Sequence, residues 1–250
     1  MADHGKLFSA PMVLALLAGT KTQTRRLLTE AQVFATPETK AFTLRGDDLD
    51  RALQNASGFR RLDGNGWFWE ADAFEWQEPA LRTGGMAHIG YAPGDRLWVR
   101  EAWHAARSLD RTAPRDIPRD ADIECAATAR GYAEIGLKGK LRASMHMPRW
   151  ASRLTLPVTE VSVQRLHDIT EEDARAEGVV PHPNGGFWVP GFEHPNPDFP
   201  YLARPTAREM YAALWDVING SGAWLANPWV TATSFDVVQR NIDEQEVANG

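Results

Sequence analysis

FSAPMVLALLAGTKTQTRR, residues 8–26, joins an apolar periodic segment to a polar, cationic one. Ser9 is a helix N-cap residue and Pro11 falls in the first turn, where its missing N–H costs nothing. Met12, Val13, Leu16 and Leu17 then repeat at the spacing that buries one helix face. Gly19 supplies a left-handed stop. The run after it, Thr20 to Arg26, reads as a loop carrying three hydroxyls, one lysine and two guanidiniums. Such a set can hold an anion or activate a hydroxyl. The competing reading is solvated charge past a helix end. Against that reading, the chain has only five lysines, and Lys21 stands between two threonines. A buried lysine, unlike an arginine, can lose its proton and act as a base.

Composition bounds the rest. A chain of 250 residues has ample length for a packed core and reads as one domain with insertions. The net charge of −6 argues against coating nucleic acid over the whole surface, so any such contact is expected to be local. The ten tryptophans suit a bulky core better than a set of stacking platforms. One cysteine, Cys125, excludes an internal disulfide and a multi-cysteine zinc site, which suits a reducing compartment. With neither a signal-peptide pattern nor an apolar run of membrane-spanning length, the sequence reads as cytoplasmic.

Working outward, residues 27–90 are poorly patterned and read as a surface insertion, with a short helix at Asp47 to Ala56 and a strand at Gly66 to Glu70. After the Pro93-Gly94-Asp95 turn, Arg96 to Trp103 alternates as a strand. Leu97, Val99 and Glu101 share one face, so Glu101 is expected to be buried against a cation such as Lys21 or Arg25. Residues 105–140 read as a second insertion, ending in a strand at Asp122 to Thr128. Two further strands are expected at Arg153 to Val158 and Val161 to Leu166.

Thr170 then opens a short helix, with Asp173 in the capping-box position and Gly178 as the stop. Glu177 therefore lies at the end of the helix dipole that disfavours a carboxylate, which suggests a cation holding it there. Residues 180–205 read as a third insertion, an irregular loop or lid carrying Trp188 and Phe192. Its His182, Glu193, His194 and Asp198 lack a metal-ligand spacing, so no metal and no cofactor is assigned. Thr206 to Ile218 is an amphipathic helix presenting Met210, Tyr211, Leu214, Trp215 and Ile218. Trp229 to Val238 alternates as a closing strand, and the tail from Arg240 is expected to fray. This order of elements is the α+β pattern of a small mixed barrel decorated with helices.

Five blocks carry a family resemblance: LLAGTKTQTRR, PGDRLWVRE, RLTLPVTEVSVQRL, ITEEDARAEGV and NPWVTATSF. Together they resemble the ASCH family of PUA-like β-barrels, in particular the longer ASCH proteins of tailed phages and prophages. The resemblance covers roughly half the chain and omits the insertions. It implies a single PUA-like domain over residues 1–250, with a cleft for a nucleotide or an RNA segment. It also implies amidohydrolase chemistry on N4-acetylcytidine, with catalytic roles on Lys21, Thr24 and Glu177 and Glu101 as the reserve carboxylate.

On this reading Thr24, or a water it positions, attacks the acyl carbonyl, and Lys21 takes the proton. Glu177 orients the lysine or passes the proton to the leaving amine. Spacing of three is expected to put Lys21 and Thr24 on one side of a helical turn. Arg25, Arg26, Arg100 and Glu101 would contact substrate, and Trp98 or Trp103 would stack a base. The expected partner is a modified cytidine nucleoside or RNA, met by a monomer, with no membrane contact. Lys21→Met is expected to abolish turnover with little loss of folding. The alternatives are a non-catalytic RNA- or modified-nucleic-acid-binding module and a ribonuclease using the same cleft.

Overall fold

A mixed α+β architecture is seen in the computed structural model, which describes residues 1–28, 89–129, 138–192 and 203–244 and the backbone of four strands between 33 and 88. In chain order the elements are β1 (Asp3–Leu7), α1 (Ala10–Leu17), β2 (Gln23–Leu27), β3 (Val33–Phe34), β4 (Ala56–Arg61), β5 (Gly66–Ala71), β6 (Thr83–His88), β7 (Arg96–Arg100), β8 (Trp103–Ala105) and β9 (Ile123–Cys125). Then follow β10 (Thr155–Arg165), α2 (Glu171–Ala176), β11 (Val180–Pro181), β12 (Phe187–Trp188), β13 (Ala203–Arg204), α3 (Ala207–Asn219) and β14 (Trp229–Phe235). Several one-turn 3-10 helices link them.

The main sheet has the order β1-β7-β10-β14-β2. Only the β1–β7 pair is parallel; the other three pairs are antiparallel. Edges β1 and β2 are not paired to each other, so among the described residues the expected barrel is an open sheet. The gap is nevertheless narrow. Arg26 on β2 donates to the Leu7 carbonyl at the end of β1 (2.8 Å), so a side chain spans what a closed barrel would join by backbone bonds.

Alternation along β14 explains how one sheet serves two cores. Trp229 and Phe235 pack with Val13 and Leu16 of α1 and with Leu97 and Val99 of β7. Val230 points the other way, into a second core with Leu214 and Trp215 of α3 and Ala174 of α2. Burial on both faces is why this strand reads as nearly continuous in apolar and small residues.

The two strands expected at 153–166 are one strand, β10. Its inward residues switch from even positions (Leu156, Val158) to odd ones (Val161, Val163), and the pairing with β14 shifts register between Val158 and Glu160. A bulge adds one residue and so flips the phase of alternation, which in sequence looks like a break. The strand expected over Arg96 to Trp103 ends instead at Arg100, and Trp103 begins β8, paired with β9. There Trp103, Ile117, Cys125 and Met147 form a third core. Burial and the nearby Glu101 push the Cys125 thiol up to about 12, so it is an inert packing residue.

Two of the insertions contain sheets. Strands β3, β6, β5 and β4 form a four-stranded antiparallel sheet inside residues 27–90, with Gly66–Ala71 close to the expected strand. The helix expected at Asp47 to Ala56 lies outside the described residues, apart from Ala56, which opens β4. The segment 180–205, expected to be irregular, contributes the three short strands β11-β12-β13. Of its four candidate ligands only His182 is among the described residues, and its ring lies edge-on to Trp188. Among the described residues no three His, Cys, Asp or Glu side chains converge as a metal site, and no helix is long and apolar enough to cross a membrane.

Candidate functional site

The site begins with two chain reversals. Helix α1 ends on Gly19, at φ 70, and the N–H groups of Thr20 and Lys21 both reach back to the Ala15 carbonyl (3.0 and 3.2 Å). From there the chain does not loop through solvent. Lys21 forms an isolated β-bridge with Glu177, and the Thr22 N–H donates to the Ala176 carbonyl at 2.8 Å. The residues after them form edge strand β2 rather than the expected cationic loop.

Helix α2 supplies the other half. Thr170 and Asp173 close a reciprocal capping box, and Glu177 is the C-cap. Gly178 follows at φ 102, and a Cβ there would lie 3.3 Å from the Ala15 Cβ. The close approach of the two helix ends, which brings position 177 to position 21, thus requires glycine on two counts.

At this junction the Lys21 ammonium donates to Glu177 Oε2 at 2.6 Å and to the Glu177 carbonyl at 2.9 Å. Both side chains are buried, at 1% and 4% exposure. The second carboxylate oxygen, Oε1, lies 3.5 Å from Arg25 Nη1 and accepts from the Tyr211 hydroxyl at 3.4 Å. Glu177 is therefore held from three directions, as its unfavourable position on the helix suggested.

Burial lowers the Lys21 pKa from the ordinary lysine value, and the charges of Arg26 and Arg25 push the same way; Glu177 opposes them in part. Tyr211 moves oppositely. Burial first, and the Glu177 charge second, raise its pKa well above the usual phenol value, so it stays a donor at neutral pH.

Register along β2 sorts the remaining residues. Thr24 and Arg26 stand opposite Thr233 and Thr231 of β14, on one face; Gln23 and Arg25 stand opposite Ser234 and Ala232, on the other. The helical-turn relation expected for Lys21 and Thr24 is thus replaced by a bridge followed by a strand. They still line one cavity. This cavity, of about 360 Å³, is lined by Lys21, Thr24, Arg25, Arg26 and Glu177 at its polar end. Val189, Phe192, Tyr211, Leu214 and Trp215 are among the residues forming its apolar wall.

Arg25 is already committed. It lines the cavity while pairing with Asp173 (3.1 Å) and Glu177 and donating to Gln23, so it clamps the two carboxylates. Burial raises the Asp173 pKa, but the Thr170 N–H and the Arg25 charge outweigh it, leaving it lowered.

Four sequence candidates lie away from this cavity. Glu101 is buried, but its cation is Arg153, which forks onto both carboxylate oxygens at 2.9 and 3.0 Å; neither Lys21 nor Arg25 is its partner. Trp103 is fully buried under the Arg142 guanidinium and cannot stack a base. Trp98 covers Gly5 of β1, where a Cβ would meet its ring at 2.8 Å. Arg100 lies over that same ring and donates to the Met145 carbonyl. Conversely, sequence reasoning placed Tyr211 only on a core face, and its contact with Glu177 depends on how α3 packs on α2. Phe192, named as part of a lid, does line the cavity, while Trp188 does not.

Comparison of the chain with protein-family models, curated proteins and solved structures gave no match.

Proposed function

We propose that this chain is an amidohydrolase that removes the acyl group from N4-acylated cytidine, built on an ASCH-type, PUA-like fold. One observation carries the reading: a fully buried lysine, bonded to a buried glutamate, lines a cavity that Thr24 also lines. A structural ion pair does not need a cavity beside it, and burial of this kind costs several kcal/mol per ion (~5) unless the geometry repays it. The cavity falls within the range of small-molecule sites, on the order of 300–1,000 Å³.

In the proposed reaction Thr24 Oγ1 attacks the acyl carbonyl carbon, and its proton passes to Lys21 in the neutral form that burial favours. The carbonyl oxygen becomes an oxyanion that the ammonium formed on Lys21 stabilises. Collapse breaks the C–N bond, and the proton returns from Lys21 to the leaving N4 amine, leaving cytidine and an acyl-threonine ester. Water, deprotonated by Lys21, then releases the carboxylic acid and restores Thr24. Glu177 orients the Lys21 amine throughout and stabilises the ammonium when it forms. Tyr211 and Arg25 hold Glu177 in place.

The test is incubation of the purified chain with a panel of N4-acylated cytidines, followed by absorbance. Cytidine should appear with wild-type protein and not with Lys21→Met. Binding without product, steeply salt-dependent, would instead identify a nucleic-acid-binding module.

A further inference from the structure

The cations that line the cavity, and Lys6 on the neighbouring edge strand β1, are not all balanced. Lys21 is paired with Glu177, and Arg25 with Asp173. Arg26 bonds only a backbone carbonyl and lies over the Phe8 ring, and Lys6 sits with its Nζ 4.4 Å above the Tyr91 ring. Among the described residues neither has a carboxylate partner. Both serve the same face of the sheet as Thr24. Thr24 stands opposite Thr233, Thr233 Oγ1 is 3.0 Å from the Tyr91 hydroxyl, and Tyr91 carries Lys6 on its ring. Arg26 reaches the backbone of Leu7, the next residue after Lys6, across the open edges of the sheet.

Two like charges held together and partly buried repel each other, a cost that an anion between them would reverse. Consistent with this, burial and the Arg26 charge together lower the Lys6 pKa. We propose that Lys6 and Arg26 form a phosphate subsite on the Thr24 face of the sheet, set off from Thr24 by the Thr233–Tyr91 pair, so that the substrate is a phosphorylated cytidine rather than a free nucleoside. This rests on the reading of the Lys21–Thr24–Glu177 site given above and specifies its substrate. The shared chemistry is a phosphate on the ribose, met either as the monoester of a nucleotide or as the diester of an oligonucleotide.

Binding tests the subsite independently of turnover. Calorimetric titration of the full chain with cytidine 5′-monophosphate and with cytidine should show at least about tenfold tighter binding of the nucleotide. Lys6→Gln should reduce that ratio to within about threefold, while Lys6→Arg, which keeps the charge, should preserve it. Equal affinities in the wild type, or a ratio unmoved by Lys6→Gln, would overturn the subsite. Turnover of N4-acetylcytidine, its 5′-monophosphate and a short oligonucleotide carrying one such base then separates the sources. A higher kcat/KM for the monophosphate assigns the monoester, and a higher one for the oligonucleotide assigns the diester. Equal values for all three overturn the inference. Absence of product from all three counts against the hydrolase, while the binding ratio still decides the subsite.

Discussion

Lys21 Nζ and Glu177 Oε2 lie 2.6 Å apart, joining residues 156 positions apart in sequence inside a buried junction that their own backbones bridge. The side-chain contact is therefore seated on a backbone contact. Perturbing either half should be felt in both stability and turnover.

Lys21→Met leaves the Glu177 carboxylate buried with Arg25 and Tyr211 as its remaining partners. The burial of the pair argues for a larger loss of folding than the sequence suggested. The expected destabilisation is about 3 kcal/mol, from urea denaturation, with product formation down by about 100-fold or more. The double variant Lys21→Met/Glu177→Gln should recover part of that stability and none of the activity. A single variant as stable as wild type would mean that the pair is not formed in solution.

Alkaline titration separates Lys21 from Tyr211. For Lys21 the folded-state pKa lies below the unfolded value of 10.5, so between the two the unfolded chain binds more protons. Its contribution to stability therefore rises with pH through that window and is lost as pH falls through the folded value. For Tyr211 the folded pKa lies above the unfolded 10.0, so its contribution is complete below 10.0 and declines as pH rises beyond it. Urea midpoints measured against pH should show wild type gaining on Lys21→Met toward pH 10.5. Tyr211→Phe should remove part of the wild-type decline above pH 10. Reversed slopes would refute these assignments.

Gly178→Ala tests the backbone half of the junction. The residue would be held at φ 102 with its Cβ against Ala15, so a cost of about 1–3 kcal/mol is expected. Because Glu177 must shift with it, kcat should fall by about tenfold. A loss of stability with undiminished kcat would show that the Glu177 position is not what catalysis needs.

Glu101→Gln separates the two buried carboxylates. Its partner Arg153 belongs to a different part of the fold, so the variant should lose about 2 kcal/mol of stability while kcat/KM stays within about twofold. Glu177→Gln should do the opposite in emphasis, with turnover falling far more than its stability change explains. A steady-state assay beside a denaturation curve reads both.

Local pattern carried much of the architecture. Helix α1 with its Gly19 stop, the Thr170–Asp173 capping box and the apolar face of α3 were all legible, because caps and helical periodicity are short-range properties of the chain. The bulge in β10 was legible only as a gap, since it is a two-strand feature that one strand's sequence shows as a change of phase. Trp98, Arg100, Glu101 and Trp103 were assigned to substrate contact by residue type, and type does not say which face of a sheet or which core a residue joins.

By itself the sequence determined the chemistry on offer: a lysine between threonines, and a glutamate left where its helix disfavours it. Tertiary structure alone decided which groups meet. Pairing of residues 21 and 22 with 176 and 177, and register between β2 and β14, bring Lys21, Thr24 and Glu177 to one cavity and send Arg25 to clamp the acids. Such contacts depend on burial shared between distant segments, and no local window of the chain contains both sides.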